Sequence, residues 1–173
     1  MVENQSYQNL AHRRSVFFVD KKYFVIVDEA FGSATGNVDT HFQLAPGVAP
    51  ASSADRVSTP GVAVFNRDSF SVHSNFKEGW NVLVKTTLQP GLELTEEDGW
   101  ASFLYTKKEP RPAFCYRLKK TAEKEKLHFV TLVIPFENQA PEIQITRSVI
   151  ESDKMEIEIF ENGKKELIGY QIN

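Results

Sequence analysis

The stretch HRRSVFFVDKKYFVIVDEAFG, residues 12–32, sets two runs rich in valine, phenylalanine, isoleucine and tyrosine on either side of Asp20-Lys21-Lys22, and it ends in glycine. Each run, 15–19 and 23–27, is one strand long, and the charged link between them is too short for anything but a turn. The stretch therefore reads as a β-hairpin. Neither run alternates cleanly between apolar and polar residues, so both faces of the hairpin are expected to be covered, as in the middle of a sandwich.

Outward from the hairpin the same rhythm continues. Strands are expected at 39–44, 61–66, 69–74, 81–88, 91–95, 101–105 and 113–118, with a proline-punctuated loop of small residues over 46–60. The strongest run is HFVTLVIPF: its segment 127–134 is apolar on both faces, which places it centrally, and Pro135 should close it because proline donates nothing to a ladder. Near the end, Met155, Ile157 and Ile159 alternate with Glu156 and Glu158, and Asn162-Gly163 turns the chain into a last strand over 167–172. That hairpin should have one wet face. Residues 121–126 are charged and carry no apolar stripe to dock a helix, so they read as a loop. The pattern is all-β: an antiparallel β-sandwich forming a single domain over 1–173, with residues 1–11 as a disordered lead-in.

Composition narrows the function. A chain of 173 residues is the size of one domain and can bury its own core. Its net charge of −3 argues against a dedicated nucleic-acid partner, and the basic run Arg117, Lys119, Lys120, Lys124 and Lys126 reads as a solvated strand end. No apolar run approaches the ~20 residues of a membrane-spanning helix, so no membrane partner is expected. Cys115, alone between apolar neighbours, reads as a small buried hydrophobe and can form no internal disulfide. The N-terminus, MVENQSYQNLAHRR, has no secretory core, so the chain is expected to be cytosolic or a piece of something longer.

Chemistry-bearing motifs are sparse. His12, His41, His73 and His128 are separated in sequence and belong to no C-x-x-C or H-E-x-x-H pattern. His41 follows Asp39 by two residues and shares a strand face with it, with Asp28 or Glu29 as conceivable further ligands. The plainer reading is a hydrogen-bonded structural histidine, and neither a metal nor a cofactor is expected. His12, Arg13 and Arg14 make a basic strand start suited to an anionic ligand and are the candidate substrate-binding residues. Trp80 and Trp100, each following a glycine, read as core or rim packing, with sugar stacking as the alternative.

The quoted hairpin, followed by THFQLAPG, GWASFLYTKKEPRPAFCYRL and HFVTLVIPF, resembles the C-terminal β-sandwich region of the heparinase II/III-like polysaccharide lyases, and most of all their heparan sulfate lyase branch. The likeness runs from about residue 10 to 136 and rests on core patterns rather than catalytic signatures. It implies a C-terminal fragment of a larger α/α toroid plus β-sandwich enzyme that cleaves heparan sulfate, or a related acidic polysaccharide, by β-elimination in the periplasm. The resemblance implies that an Asn or His neutralises the uronate carboxylate and that Tyr and His move protons, all from outside this chain. No His-x-His strand like the family's occurs here, so no catalytic residue is assigned and the hairpin is read as scaffold. A stand-alone carbohydrate-binding or interaction module is the alternative, and an exposed aromatic platform would mark it.

Overall fold

In the computed structural model, which describes residues 1–46, 63–151, 153–161 and 163–171, the chain forms strands β1 (Val2–Tyr7), β2 (Leu10–Val19), β3 (Tyr23–Phe31), β4 (Gly36–Gln43), β5 (Ala63–Asn66), β6 (Ser71–Ser74) and β7 (Asn81–Thr86). They are followed by β8 (Glu93–Ala101), β9 (Glu109–Lys120), β10 (Leu127–Phe136), β11 (Ile143–Ile150), β12 (Lys154–Glu161) and β13 (Lys164–Gln171). Among the described residues there is no helix, and every strand pairing is antiparallel. The all-β expectation holds. Most of the loop read at 46–60 lies outside the described residues.

A seven-stranded sheet, in the order β1-β2-β3-β10-β7-β6-β5, is packed on both sides. On one face it meets the three-stranded sheet β11-β12-β13, and Val25, Val27, Val130, Leu132 and Ile134 bury against Met155, Ile157 and Ile159. On the other it meets β4-β9-β8, and Val72, Val84 and Phe129 bury against Phe114, Tyr116 and Leu118. Strand β10 serves both cores because successive side chains point to opposite faces. That explains its unbroken apolar run and its place between β3 and β7. Two phenols pin the layers: Tyr23 Oη donates to Glu166 at 2.6 Å, and Tyr116 Oη donates to the carbonyls of Phe70 and Val84 at 3.0 and 3.2 Å. Burial raises both hydroxyls well above the ordinary tyrosine range, so they stay protonated donors.

Several expectations are corrected. Residues 1–11 do not form a disordered lead-in: β1 pairs with β2 from Val2↔Arg14 to Tyr7↔Leu10. Residues 91–95 and 101–105 do not make two strands, because β8 runs from Glu93 to Ala101 alongside β9 and residues 102–105 leave the sheet. Gly99 looks like a breaker but marks a close approach: a Cβ there would lie 2.5 Å from the Arg111 carbonyl oxygen and 2.6 Å from the Ala113 Cβ. Strand β11 went unread, and β10 continues past Pro135 to Phe136.

The β2–β3 hairpin turns through Asp20 and Lys21, both left-handed at φ 46° and 58°, and Lys22 N donates to Val19 O at 2.8 Å. Only one of its faces is covered. Val19, Tyr23, Val25 and Val27 are buried, whereas Val16, Phe18 and Phe24 on the other face are exposed, with Phe18 and Phe24 stacked at 4.6 Å. The β4-β9-β8 sheet packs farther along, over β10, β7 and β6, and leaves this end of the seven-stranded sheet bare.

Candidate functional site

Strand register sorts the basic start of β2 onto two faces. Arg14 lies opposite Asp28 and His12 opposite Ala30, so His12 and Arg14 flank the Asp28 side chain on the face turned toward β4. Arg14 donates from Nε to Asp28 Oδ1 at 2.6 Å and from its terminal nitrogen to Oδ2 at 2.9 Å. His12 Nε2 sits 2.8 Å from the same Oδ1. Asp28 is buried, at 3% exposure, and a carboxylate so placed needs partners of this kind. The bidentate fork raises the Arg14 pKa above its ordinary value, keeping the guanidinium charged.

Arg13 points the other way. It donates to Glu3 Oε2 at 2.9 and 3.1 Å, lies 3.7 Å from Glu29, and sets its guanidinium 5.1 Å from the centre of the Phe31 ring. The three residues read together as substrate-binding therefore separate, His12 and Arg14 into one site and Arg13 into a lateral brace for β1.

His12, Arg14 and Asp28 line a cleft of about 430 Å³ whose opposite wall is β4, including Asp39 and His41, with Tyr7 at the mouth. His41, far from His12 in sequence, borders the same cleft, as does Tyr7. The pairing of Asp39 with His41 is not the one anticipated. Asp39 accepts two bonds from Arg117, at 2.7 and 2.6 Å, which hold its carboxyl below the usual range. His41 instead meets Glu97 of β8, Nδ1 to Oε2 at 2.8 Å, directly over Cys115 on β9. Asp28 is committed to Arg14 and His12, and Glu29 lies near Arg13, so neither joins His41.

Cys115 is fully buried, as read, and burial together with the Glu97 carboxylate pushes its thiol up to about 11. It is no nucleophile in this state. His41, Glu97 and Cys115 hold donor atoms within 4.8 Å of one another and are the donor set that could take a metal ion among the described residues.

A larger, open groove of about 830 Å³ runs past His73, Ser74, Asn81 and Phe136. Three of its polar side chains, those of His73, Ser74 and Asn81, are spent on local structure. Asn81 accepts from Ser74 Oγ and Phe76 N and donates to Phe76 O, and His73 Nδ1 bonds the Ser74 carbonyl. Trp80 and Trp100 are both more than half exposed, so they are not core filling, and Trp100 adjoins the exposed Phe103, Leu104 and Tyr105.

Comparison with known proteins gives one consistent answer. Residues 1–156 match the family model described as heparinase II/III-like, C-terminal. The chain is 35% identical over 170 residues to a heparin-sulfate lyase of Pedobacter heparinus, covering 95% of this chain and 24% of that protein. It is 32% identical over 176 residues to a heparin-sulfate lyase of Bacteroides stercoris, covering 99% and 24%. The crystal structure of the heparan sulfate lyase from Pedobacter heparinus superposes with a TM-score of 0.84 at 32% identity, over 99% of this chain and 25% of the solved one. The chain thus spans about a quarter of the length of the relatives it matches.

Proposed function

The chain belongs to the heparinase II/III-like C-terminal family, and from that membership we propose that it is the C-terminal β module of a polysaccharide lyase that depolymerises heparan sulfate or a related glycosaminoglycan by β-elimination. The observation that carries this reading is likeness along nearly the whole chain, in sequence and in fold, to heparin-sulfate lyases about four times as long. The module is scaffold and cleft wall. An N-terminal α/α toroid of the same protein supplies the opposite wall and, together with the His-x-His strand that begins the family's sandwich, the catalytic groups, and the enzyme works in the periplasm; these points rest on family likeness. The His12–Arg14–Asp28 cleft offers the polysaccharide a guanidinium fixed by a buried carboxylate, a suitable contact for a sulfate or uronate at the edge of the active cleft. Heparin-sulfate lyase relatives disfavour a stand-alone carbohydrate-binding module, although Trp80 and Trp100 are exposed.

Elimination needs carboxylate neutralisation, a base and an acid held around one uronate, and a misplacement of about 1 Å can cost roughly a hundredfold. The purified chain alone is therefore expected to show no turnover of heparan sulfate, followed by the ultraviolet absorbance of the unsaturated uronate product. The full-length parent protein is expected to turn over. Activity of the isolated chain that disappears on changing Tyr7, His12 or His41 would move the active site into the cleft described here and defeat the scaffold reading.

The bare face of the β2–β3 hairpin fits this picture, because Phe18 at 57% exposure and Phe24 at 39% form an apolar patch that another part of the parent protein can cover. The isolated chain should enhance the fluorescence of a hydrophobic dye. Phe18→Ser with Phe24→Ser should remove most of that signal, and equal dye binding by the double variant would show that the patch is not the exposed surface.

A further inference from the structure

We propose that His41, Glu97 and Cys115 form a binding site for a thiophilic divalent cation, with zinc as the natural occupant. The three residues come from β4, β8 and β9, and the register that pairs these strands builds the cluster. His41 lies directly opposite Cys115, while Glu97 is two residues beyond Thr95, the partner of Cys115 on the other side. Phe114 and Tyr116, flanking Cys115 in sequence, turn into the core, so the thiol faces the outer side of the sheet. There it is sealed from water beneath a partly exposed carboxylate and an exposed imidazole.

Size and charge fit. A tetrahedral zinc holds nitrogen, oxygen and thiolate donors about 3.3–3.6 Å apart, given bond lengths of about 2.0–2.3 Å. The donor atoms here all lie within 4.8 Å of one another, and the His41–Glu97 hydrogen bond of 2.8 Å need open by only about half an ångström. A thiolate and a carboxylate together carry two negative charges and the imidazole none, which neutralises a divalent ion. The fourth position opens to solvent beside His41. Asp39 and Arg117, two residues along β4 and β9, satisfy each other bidentately, so the neighbouring guanidinium is not an unpaired cation facing the site.

Donor chemistry selects the ion. One thiolate and one imidazole disfavour calcium and magnesium, which prefer all-oxygen shells, and favour zinc or cobalt. The other candidate carboxylate, Asp28, is excluded because Arg14 already occupies both its oxygens. Metal binding must displace the proton of Cys115: the sulfur–hydrogen bond breaks, a sulfur–metal bond forms, and one proton goes to solvent, so affinity should rise with pH.

The test is titration of the tag-free, chelator-treated chain with cobalt(II) and zinc(II). The expected result is one equivalent bound, a near-ultraviolet thiolate-to-cobalt charge-transfer band, and displacement of cobalt by zinc. Cys115→Ser should abolish the band with an unchanged far-ultraviolet circular dichroism spectrum. His41→Gln and Glu97→Gln, both at the surface, should each weaken binding by about tenfold or more, while Glu78→Gln, an exposed carboxylate between β6 and β7, should leave it unchanged. Absence of the band in the wild-type chain, its survival in Cys115→Ser, or unaltered affinity in both surface variants would overturn the site.

Discussion

Replacing Phe114 by alanine is expected to cost about 3–5 kcal/mol of folding stability. The ring is wholly buried on the central strand of the β4-β9-β8 sheet. It stacks on Phe42 at 5.5 Å and meets Phe65 and Tyr116 edge-on at 6.0 and 5.6 Å. These neighbours belong to two sheets whose backbones are fixed by their own ladders, so the surrounding atoms cannot close over the space left behind. For a chain of this size each kcal/mol lowers the melting temperature by about 2–4 °C. A fall of roughly 10 °C, with a matching drop in the urea midpoint, is the measurement. Phe103→Ala, on an exposed ring, should change stability by less than about 0.5 kcal/mol. A Phe114→Ala loss no larger than that would mean that the core between the two sheets is not packed as described.

The second large effect belongs to Asp28→Ala. Removing one partner of a fully buried ion pair costs about 3–5 kcal/mol because the other charge is stranded. Arg14 and His12 keep 43% and 34% of their side-chain surface in water, so solvent recovers part of that loss and about 2 kcal/mol is expected. The double variant Arg14→Ala, Asp28→Ala should be more stable than the sum of the single effects implies, by about 1–2 kcal/mol of coupling. Glu3→Ala, which breaks the more exposed pair with Arg13, should cost under about 1 kcal/mol. Equal losses for Asp28→Ala and Glu3→Ala would count against the buried carboxylate as the organiser of the cleft.

How much of this was legible follows from range. The hairpin, the central β10 and the alternation of Met155, Ile157 and Ile159 are local patterns, and each appears where it was read. Strand β1 was missed because VENQSY is polar, and it is held by backbone pairing and the Arg13–Glu3 bond rather than by burial. The bare hairpin face was misread as covered because an apolar run reports only that its side chains favour burial, not that a layer is present on each side. In the site, Arg14 and His12 were found, but their convergence on Asp28 depends on a register the turn imposes. Glu97 could not have been linked to His41, since 56 residues separate them and only β9 bridges their strands.

The pairing of β3 with β10 governs how the chain comes into being. Val27 finds Val130 across the ladder, so the inner edge of the first hairpin is synthesised about a hundred residues before the strand that completes it. At translation rates of about 5–20 residues per second, that edge waits roughly 5–20 s on the ribosome. During the wait YFVIV offers unpaired backbone groups and an uncharged apolar surface, the composition most prone to pairing with another nascent chain. Asp20, Lys21 and Lys22 at one end and Asp28 and Glu29 at the other bracket the run with charge and oppose such pairing. The order of synthesis is thus expected to bear on yield in the cell alongside the depth of the finished core.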